Sequence, residues 1–183
     1  MNVCVLDVEA TCSNPLVAKP LQVGWTVWTP DGQMLKSEYY NIKWHFPPTI
    51  SEWSLENLPQ ECLRNEGIHM SALIKRLRTS LRDEQHILVG HNIGTYDIPL
   101  LRRYIGRETF DKLFHHRVRD TAVVCNWLAD CGMIPQGGLD AHIDTFGVCN
   151  PRPHHALFDA LAEARLYWAS LAFGKALAEC ALD

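Results

Sequence analysis

Three stretches of the chain hold carboxylates where they can do chemistry. Asp7 and Glu9, in LDVEAT, stand two residues apart at the end of an apolar run. On a strand, that spacing points both side chains to one face. Like charges side by side are costly, and a hard divalent cation taking carboxylate oxygens relieves the cost. By itself the D-x-E spacing is equally that of a solvated strand end. Asp97, in VGHNIGTYDIPLL, opens a helix just after an apolar strand, which is also an ordinary place for a charge favoured by the helix dipole. Asp159, in HHALFDALAEARLY, lies on a long apolar helix among Leu157, Phe158, Ala160 and Leu161. An acid among such neighbours is rarely fully buried without a partner, and a surface position is the alternative. Taken together, four convergent acids and a histidine would suit a polyanionic substrate bridged by metals.

The elements that must position these residues follow from hydrophobic periodicity and turn chemistry. Residues 2–8 (NVCVLDV) read as a short strand buried on both faces, and residues 21–29 (LQVGWTVWT) as a second. Pro30-Asp31-Gly32 is a turn signal, so residues 33–44 form a third strand in a hairpin with the second. A short helix over 51–58 opens at Ser51. Met70, Leu73, Ile74, Leu77 and Leu81 fall at helical spacing within 69–82. A fourth strand covers 86–90 (HILVG). A helix covers 96–105, with Pro99 in its first turn, where a missing N–H is tolerated. A short strand near Val118 leads to a helix at 121–130, another helix spans about 139–146, and a long one runs from about 156 to 179. This order predicts an α/β layer fold, a mixed sheet of about five strands flanked by helices.

The acidic segments, taken in order, resemble the DEDDh exonucleases, the proofreading-exonuclease superfamily on the ribonuclease H-like fold. D-x-E-x-T after a strand matches Asp7, Glu9 and Thr11; the H-N-x-x-x-x-D-type segment is similar to His91, Asn92 and Asp97; H-x-x-x-x-D matches His154 and Asp159. DTAVV from Asp120 and LDAHIDTFGV before the third motif are also similar to the family pattern. The resemblance covers nearly the whole chain and implies a single exonuclease domain over 1–183. It implies two Mg²⁺ or Mn²⁺ ions held by Asp7, Glu9, Asp97 and Asp159. One ion would activate a water against the terminal phosphorus and the other would stabilise the leaving 3′ oxygen. Neutral His154 would take the proton, and nucleoside 5′-monophosphates would leave one at a time from a 3′ end.

Two departures from the family pattern matter. The third motif reads His-His, so His155, at i, i+4 from Asp159, rivals His154. The i, i+4 register shares a helical face with Asp159, whereas His154 must sit in a preceding loop. Asn150-Pro151-Arg152-Pro153 favours that loop, and His154 is therefore the expected base. The other departure is Gln22, in the second strand where many members carry an acid; it lies outside the metal set.

Expected substrate contacts are the backbone N–H groups of Ala10 and Thr11, the Leu16 side chain wedged against a base, and Tyr96 or Trp25 stacked on bases. His91 and Asn92 support them. Leu16, Tyr96 and Trp25 read equally well as loop or core residues. Arg102, Arg103 and Arg107 can meet phosphate, but a solvated helix face is the more ordinary reading, and the same holds for Lys75, Arg76, Arg78 and Arg82. His115, His116, Arg117 and Arg119 form the densest basic run. His115, His116 and His142 lack any cysteine spacing for a zinc site.

Composition bounds the rest. At roughly 150 residues per domain, 183 residues make one domain. The 47 % hydrophobic and 21 % charged content excludes disordered and fibrous chains. Seventeen basic and 21 acidic residues give a net charge of −4. That weighs against a broad electrostatic wrap around nucleic acid, but two divalent cations would offset it at the site. The seven cysteines form no C-x-x-C pair, so free thiols in a reducing cytoplasm are expected. No apolar run of about 20 residues occurs and the N-terminus lacks signal-peptide features, so the expected location is cytoplasmic, with no membrane partner. The leading expectation is a 3′→5′ exonuclease favouring single-stranded DNA. An exoribonuclease trimming RNA 3′ ends or short oligoribonucleotides is the alternative, and a catalytically silent nucleic-acid-binding or polymerase-partner module is the non-enzyme alternative. A homo-oligomer stays open.

Overall fold

The computed structural model describes residues 1–180. Five strands form one mixed sheet: β1 (Val3–Ala10), β2 (Pro20–Trp28), β3 (Met34–Asn41), β4 (Ile87–Gly90) and β5 (Arg119–Asp120), in the order β3-β2-β1-β4-β5. β3, β2 and β1 pair antiparallel, while β1, β4 and β5 run parallel. This is the expected α/β architecture of the ribonuclease H-like kind.

β1 is the central strand, and its apolar run is buried along almost its whole length. Central strands covered on both faces read as continuous hydrophobic runs. The β1–β2 register shifts between Glu9 and Ala10, the kind of bulge that re-aims side chains next to a site.

Eight helices are described: α1 (Glu52–Asn57), α2 (Gln60–Leu63), α3 (Met70–Ser80), α4 (Asp97–Ile105), α5 (Arg107–Leu113), α6 (Thr121–Asp130), α7 (Leu139–Thr145) and α8 (Ala156–Cys180). Ser51 caps α1, its hydroxyl accepting from the Ser54 N–H. Asp120 caps α6 in the same way through the Ala122 N–H. Periodicity does not announce α2 and α5, since four and seven residues are too few to show a repeat. β3 is shorter than the 33–44 expected, because after Asn41 the chain turns off into a bridge between Ile42 and Ile68.

The main core packs β1 and β2 against α3 and α4 through Leu6, Val23, Leu73, Leu77, Leu100 and Leu101. Trp25 belongs to this core. It is fully buried and its Nε1 donates to Ser80 Oγ at 2.9 Å, so it is no base-stacking surface. On the opposite face lies α8, whose small Ala156, Ala160 and Ala164 let it approach the sheet closely. The approach is tightest at Gly24, where a Cβ would overlap the Ala156 and Leu157 backbone. Gln22 reinforces the junction. Its Oε1 accepts from the Ala156 N–H at 2.8 Å, and its Nε2 donates to Asn41 Oδ1 at 2.7 Å. The amide thus caps the buried start of α8 while staying paired on both ends, a task an acid in its place would do only in part.

All seven cysteines are free, with Cys4, Cys62 and Cys125 buried. Among the described residues no helix is long and apolar enough to cross a membrane.

Candidate active site

A cleft of about 460 Å³ opens at the C-terminal end of β1. Asp7, Glu9, Asp97, Asp159 and His154 all line it, with Ala10, Tyr96, His91, Asn92, Trp53 and Glu163. Asp7 and Glu9 reach it from alternate positions of β1, which share a face. Asp97 begins α4, and Asp159 lies in the first turn of α8.

The acids crowd one another out of water. Asp7 is pushed well above the usual carboxylate range by burial first and then by the charges of Glu9, Glu163, Asp159 and Asp97. Glu9 rises to about 8 through burial and the adjacent Asp159, and Asp97 to about 8 through burial. Asp159 is also raised by burial, against the opposing hydrogen bond from Asn150 Nδ2 to its Oδ1. Asp7 Oδ2 and Asp97 Oδ1 are buried without a hydrogen-bond partner among the described residues. Buried carboxylates with orphaned oxygens are what a hard cation needs, so this donor set fits divalent metal. Glu9, Asp159 and His154 bring one ligand atom each to within 4.8 Å of one another.

The two adjacent histidines part company. His154 sits in the loop before α8 with φ of +61° and lines the cleft. Its ring stands edge-on to Trp53, centroids 5.2 Å apart at 86°. His155 is 1 % exposed, wedged between Tyr39 and Phe158, and its backbone C=O accepts from the Phe158 and Asp159 N–H groups. Burial pulls its pKa below the ordinary histidine value. The proline-flanked loop therefore turns His154 to the acids and His155 into the core.

The second motif is a support. His91 follows β4, and its Nδ1 lies 3.1 Å from Thr121 Oγ1, which itself donates to the Gly90 carbonyl at 3.2 Å. The hydroxyl proton being committed, His91 donates from Nδ1. Burial and nearby His142 lower its pKa to about 4, so it is neutral. Asn92 adopts a left-handed φ of +61°. Asp120 holds this loop, its Oδ1 accepting from the Asn92 N–H at 2.8 Å and its Oδ2 from the Gly94 N–H at 3.2 Å. One carboxylate thus caps α6 and fixes the turn that delivers Asp97.

Other sequence candidates fall elsewhere. Thr11 is buried outside the cleft lining, and its N–H donates to the Lys19 carbonyl at 3.0 Å, so that donor is already used. Leu16 is 73 % exposed and also outside the lining. Tyr96 lines the cleft, with its hydroxyl bonded to the Cys12 carbonyl. Arg103 clamps the loop after β1 through the Pro15 and Ala18 carbonyls. Arg102 and Arg107 pair with Asp111, Arg78 pairs with Asp83, and Arg76 lies over Tyr40. His115 and His116 stack on each other in the loop before β5. None of these arginines and histidines lines the cleft.

The parts that Trp53, Asn150 and Glu163 play at the site are not read from the sequence, where Asn150 reads only as a loop residue. Trp53 is 55 % exposed at the cleft rim. Asn150 holds Asp159. Glu163 is a fifth buried acid, raised well above its ordinary range by burial and by Asp97 and Asp159. Only Glu163 had a signal: it follows Asp159 by four residues, one helical turn on the same face.

No family model and no curated protein matches the chain. Solved structures do. An exonuclease I structure superposes with a TM-score of 0.74 at 17 % identity, covering 92 % of this chain and 40 % of that one. E. coli exonuclease I in complex with a dT13 oligonucleotide gives 0.71 at 17 % identity, over 93 % of this chain and 40 % of that one. The zinc-bound form of the E. coli enzyme with single-stranded DNA gives 0.74 at 17 % identity, with the same two coverages of 93 % and 40 %. The chain thus spans about two-fifths of the length of the proteins it matches, and what it shares with exonuclease I is the fold.

Proposed function

We propose that the chain is a divalent-metal-dependent 3′→5′ exonuclease that releases nucleoside 5′-monophosphates from single-stranded DNA. The observation that carries this reading is the convergence of Asp7, Glu9, Asp97, Asp159 and His154 on one open cleft. DNA is favoured over RNA because the similar exonuclease I structures include complexes with single-stranded oligodeoxynucleotides.

Mg²⁺ or Mn²⁺, held by the four acids, would supply charge neutralisation at the scissile phosphate and activation of the attacking water. The chain's own residues do the rest. Asp7 and Asp97 offer the buried, unpartnered oxygens that hold cations. Asn150 keeps one oxygen of Asp159 fixed, which orients the other. His154 takes a proton onto a ring nitrogen as the water oxygen bonds to phosphorus and the P–O3′ bond breaks; the 3′ oxygen leaves with a proton from solvent. His154 suits this task because it reaches the cleft from a loop, clear of the buried surroundings of His155. Trp53 offers an open aromatic face to the terminal base, a contact every base can make.

One gel tests the reading. End-labelled DNA and RNA of one sequence, single- and double-stranded, are incubated with Mg²⁺ or Mn²⁺, with and without EDTA. A ladder receding from the 3′ end of single-stranded DNA, abolished by EDTA, is expected. A ladder on RNA alone makes the enzyme an exoribonuclease. Activity surviving EDTA after metal removal is verified contradicts the metal-dependent mechanism, and binding without cleavage leaves a nucleic-acid-binding module.

A further inference from the structure

The four acids so far assigned leave a fifth unexplained. Glu163 follows Asp159 by one turn of α8, on the face that lines the cleft. It is 2 % exposed, and its Oε2 has no hydrogen-bond partner among the described residues. Its charged neighbours are other acids, Asp97 and Asp159 above all. The nearest basic side chain along α8, Arg165, turns away to the Cys149 carbonyl. A buried carboxylate without a countercharge destabilises the fold, and a glutamine or leucine of similar size would fill the same space without that cost. A backbone hydrogen bond at His91 serves the carboxylate in part, and Oε2 is left needing a partner that the described residues do not provide. Small divalent cations are reluctant to shed water and keep several ligands of hydration, each a hydrogen-bond donor in need of an acceptor.

We propose that Glu163 is a positioning residue of the metal centre, its free Oε2 accepting hydrogen bonds from the hydration shell of a divalent cation held by Asp97 and Asp159. This rests on the reading of the cleft as a metal site and adds to it an outer acceptor that ties the cation to α8. Such outer partners typically change metal affinity by 10–100-fold.

The test is Mn²⁺ titration of the metal-free protein by calorimetry, alongside its thermal melt. Glu163→Gln keeps the shape and loses the anionic acceptor. It should bind Mn²⁺ about 10–100-fold more weakly while the metal-free protein melts at a higher temperature, since the cost of burying a carboxylate away from water is gone. A role in packing alone moves the melt and leaves Mn²⁺ affinity unchanged, and that result overturns the proposal. Glu163→Asp keeps the charge one methylene short and should lose less affinity than Glu163→Gln. Equal losses in both variants, with a lowered melting temperature, assign Glu163 to packing and overturn the proposal too. If the wild-type protein takes up no Mn²⁺, the metal-site reading itself fails and this inference falls with it; wild-type binding with an unaffected Glu163→Gln removes this inference alone.

Discussion

The floor and the rim of the cleft are built on opposite terms. The floor is made of acids anchored on β1, the first turn of α4 and the buried first half of α8. They crowd one another, and Asp7 Oδ2, Asp97 Oδ1 and Glu163 Oε2 have no hydrogen-bond partner among the described residues. The rim is made of loop and short-helix residues. His154 sits in a left-handed loop position, and Trp53 lies on a helix of six residues. The difference teaches where each kind of work is possible. Holding like charges together needs a scaffold whose packing energy exceeds the repulsion, so the acids belong on the core elements. On the proposed reading, accepting a proton and meeting a base both need access to solvent, which the rim supplies.

The hardest blow to the floor is loss of a ligand. Asp7→Ala or Asp97→Ala should abolish nuclease turnover. Divalent-metal stabilisation of several kcal/mol, at tenfold per 1.36 kcal/mol, amounts to about 10³-fold or more. Both variants should stay folded, as judged by circular dichroism, and melt at or above the wild-type temperature without metal. Wild-type turnover in either one, at saturating metal, would remove it from the ligand set.

The rim is tested by the neighbouring histidines. His154→Ala should lose about 10²–10⁴-fold in turnover, the usual worth of a general base, with Mn²⁺ still bound. His155→Ala should keep most of the turnover and lose stability instead, since its ring fills the space between Tyr39 and Phe158. The opposite pattern would exchange their roles. A smaller effect is expected at Trp53. Stacking is worth about 1–3 kcal/mol per base, so Trp53→Ala should raise KM about 5–150-fold with kcat little changed, and Trp53→Phe should restore most of it. A change confined to kcat would show that the indole acts only by bracing His154.

The smallest effect, a few degrees of melting temperature, concerns the floor without metal. Glu9 and Asp97 hold protons up to about pH 8 in the folded state, against 4.5 and 3.8 for the free groups. The native state thus binds more protons than the unfolded one across that interval, and stability falls as pH rises. Below pH 6.5 the depressed values of His91, His142 and His155 act the other way. The metal-free protein should therefore lose melting temperature between about pH 6.5 and about pH 8. Saturating Mn²⁺ should flatten that slope. A metal-free melt that rises over the same interval would mean the acids are not the dominant charges of the floor.

Much of this molecule is legible in the order of its residues. Helical spacing marks α3, a continuous apolar run marks β1 and an Ala- and Leu-rich stretch marks α8, each to within two residues. The resemblance of three short segments to the DEDDh motifs brings Asp7, Glu9, Asp97, Asp159 and His154 forward as one set. Tertiary structure alone decided what depends on contact between distant segments. Gln22 caps a helix that starts 134 residues later, Asp120 secures the turn before Asp97, and Trp53 closes on His154. Trp25 and Trp53 look alike in sequence, yet one lies at the centre of the core and the other on the open rim. Local sequence sets the direction of a side chain relative to its own backbone. Whether that direction meets core, solvent or another carboxylate is fixed only when the sheet, α8 and the loops between them pack together.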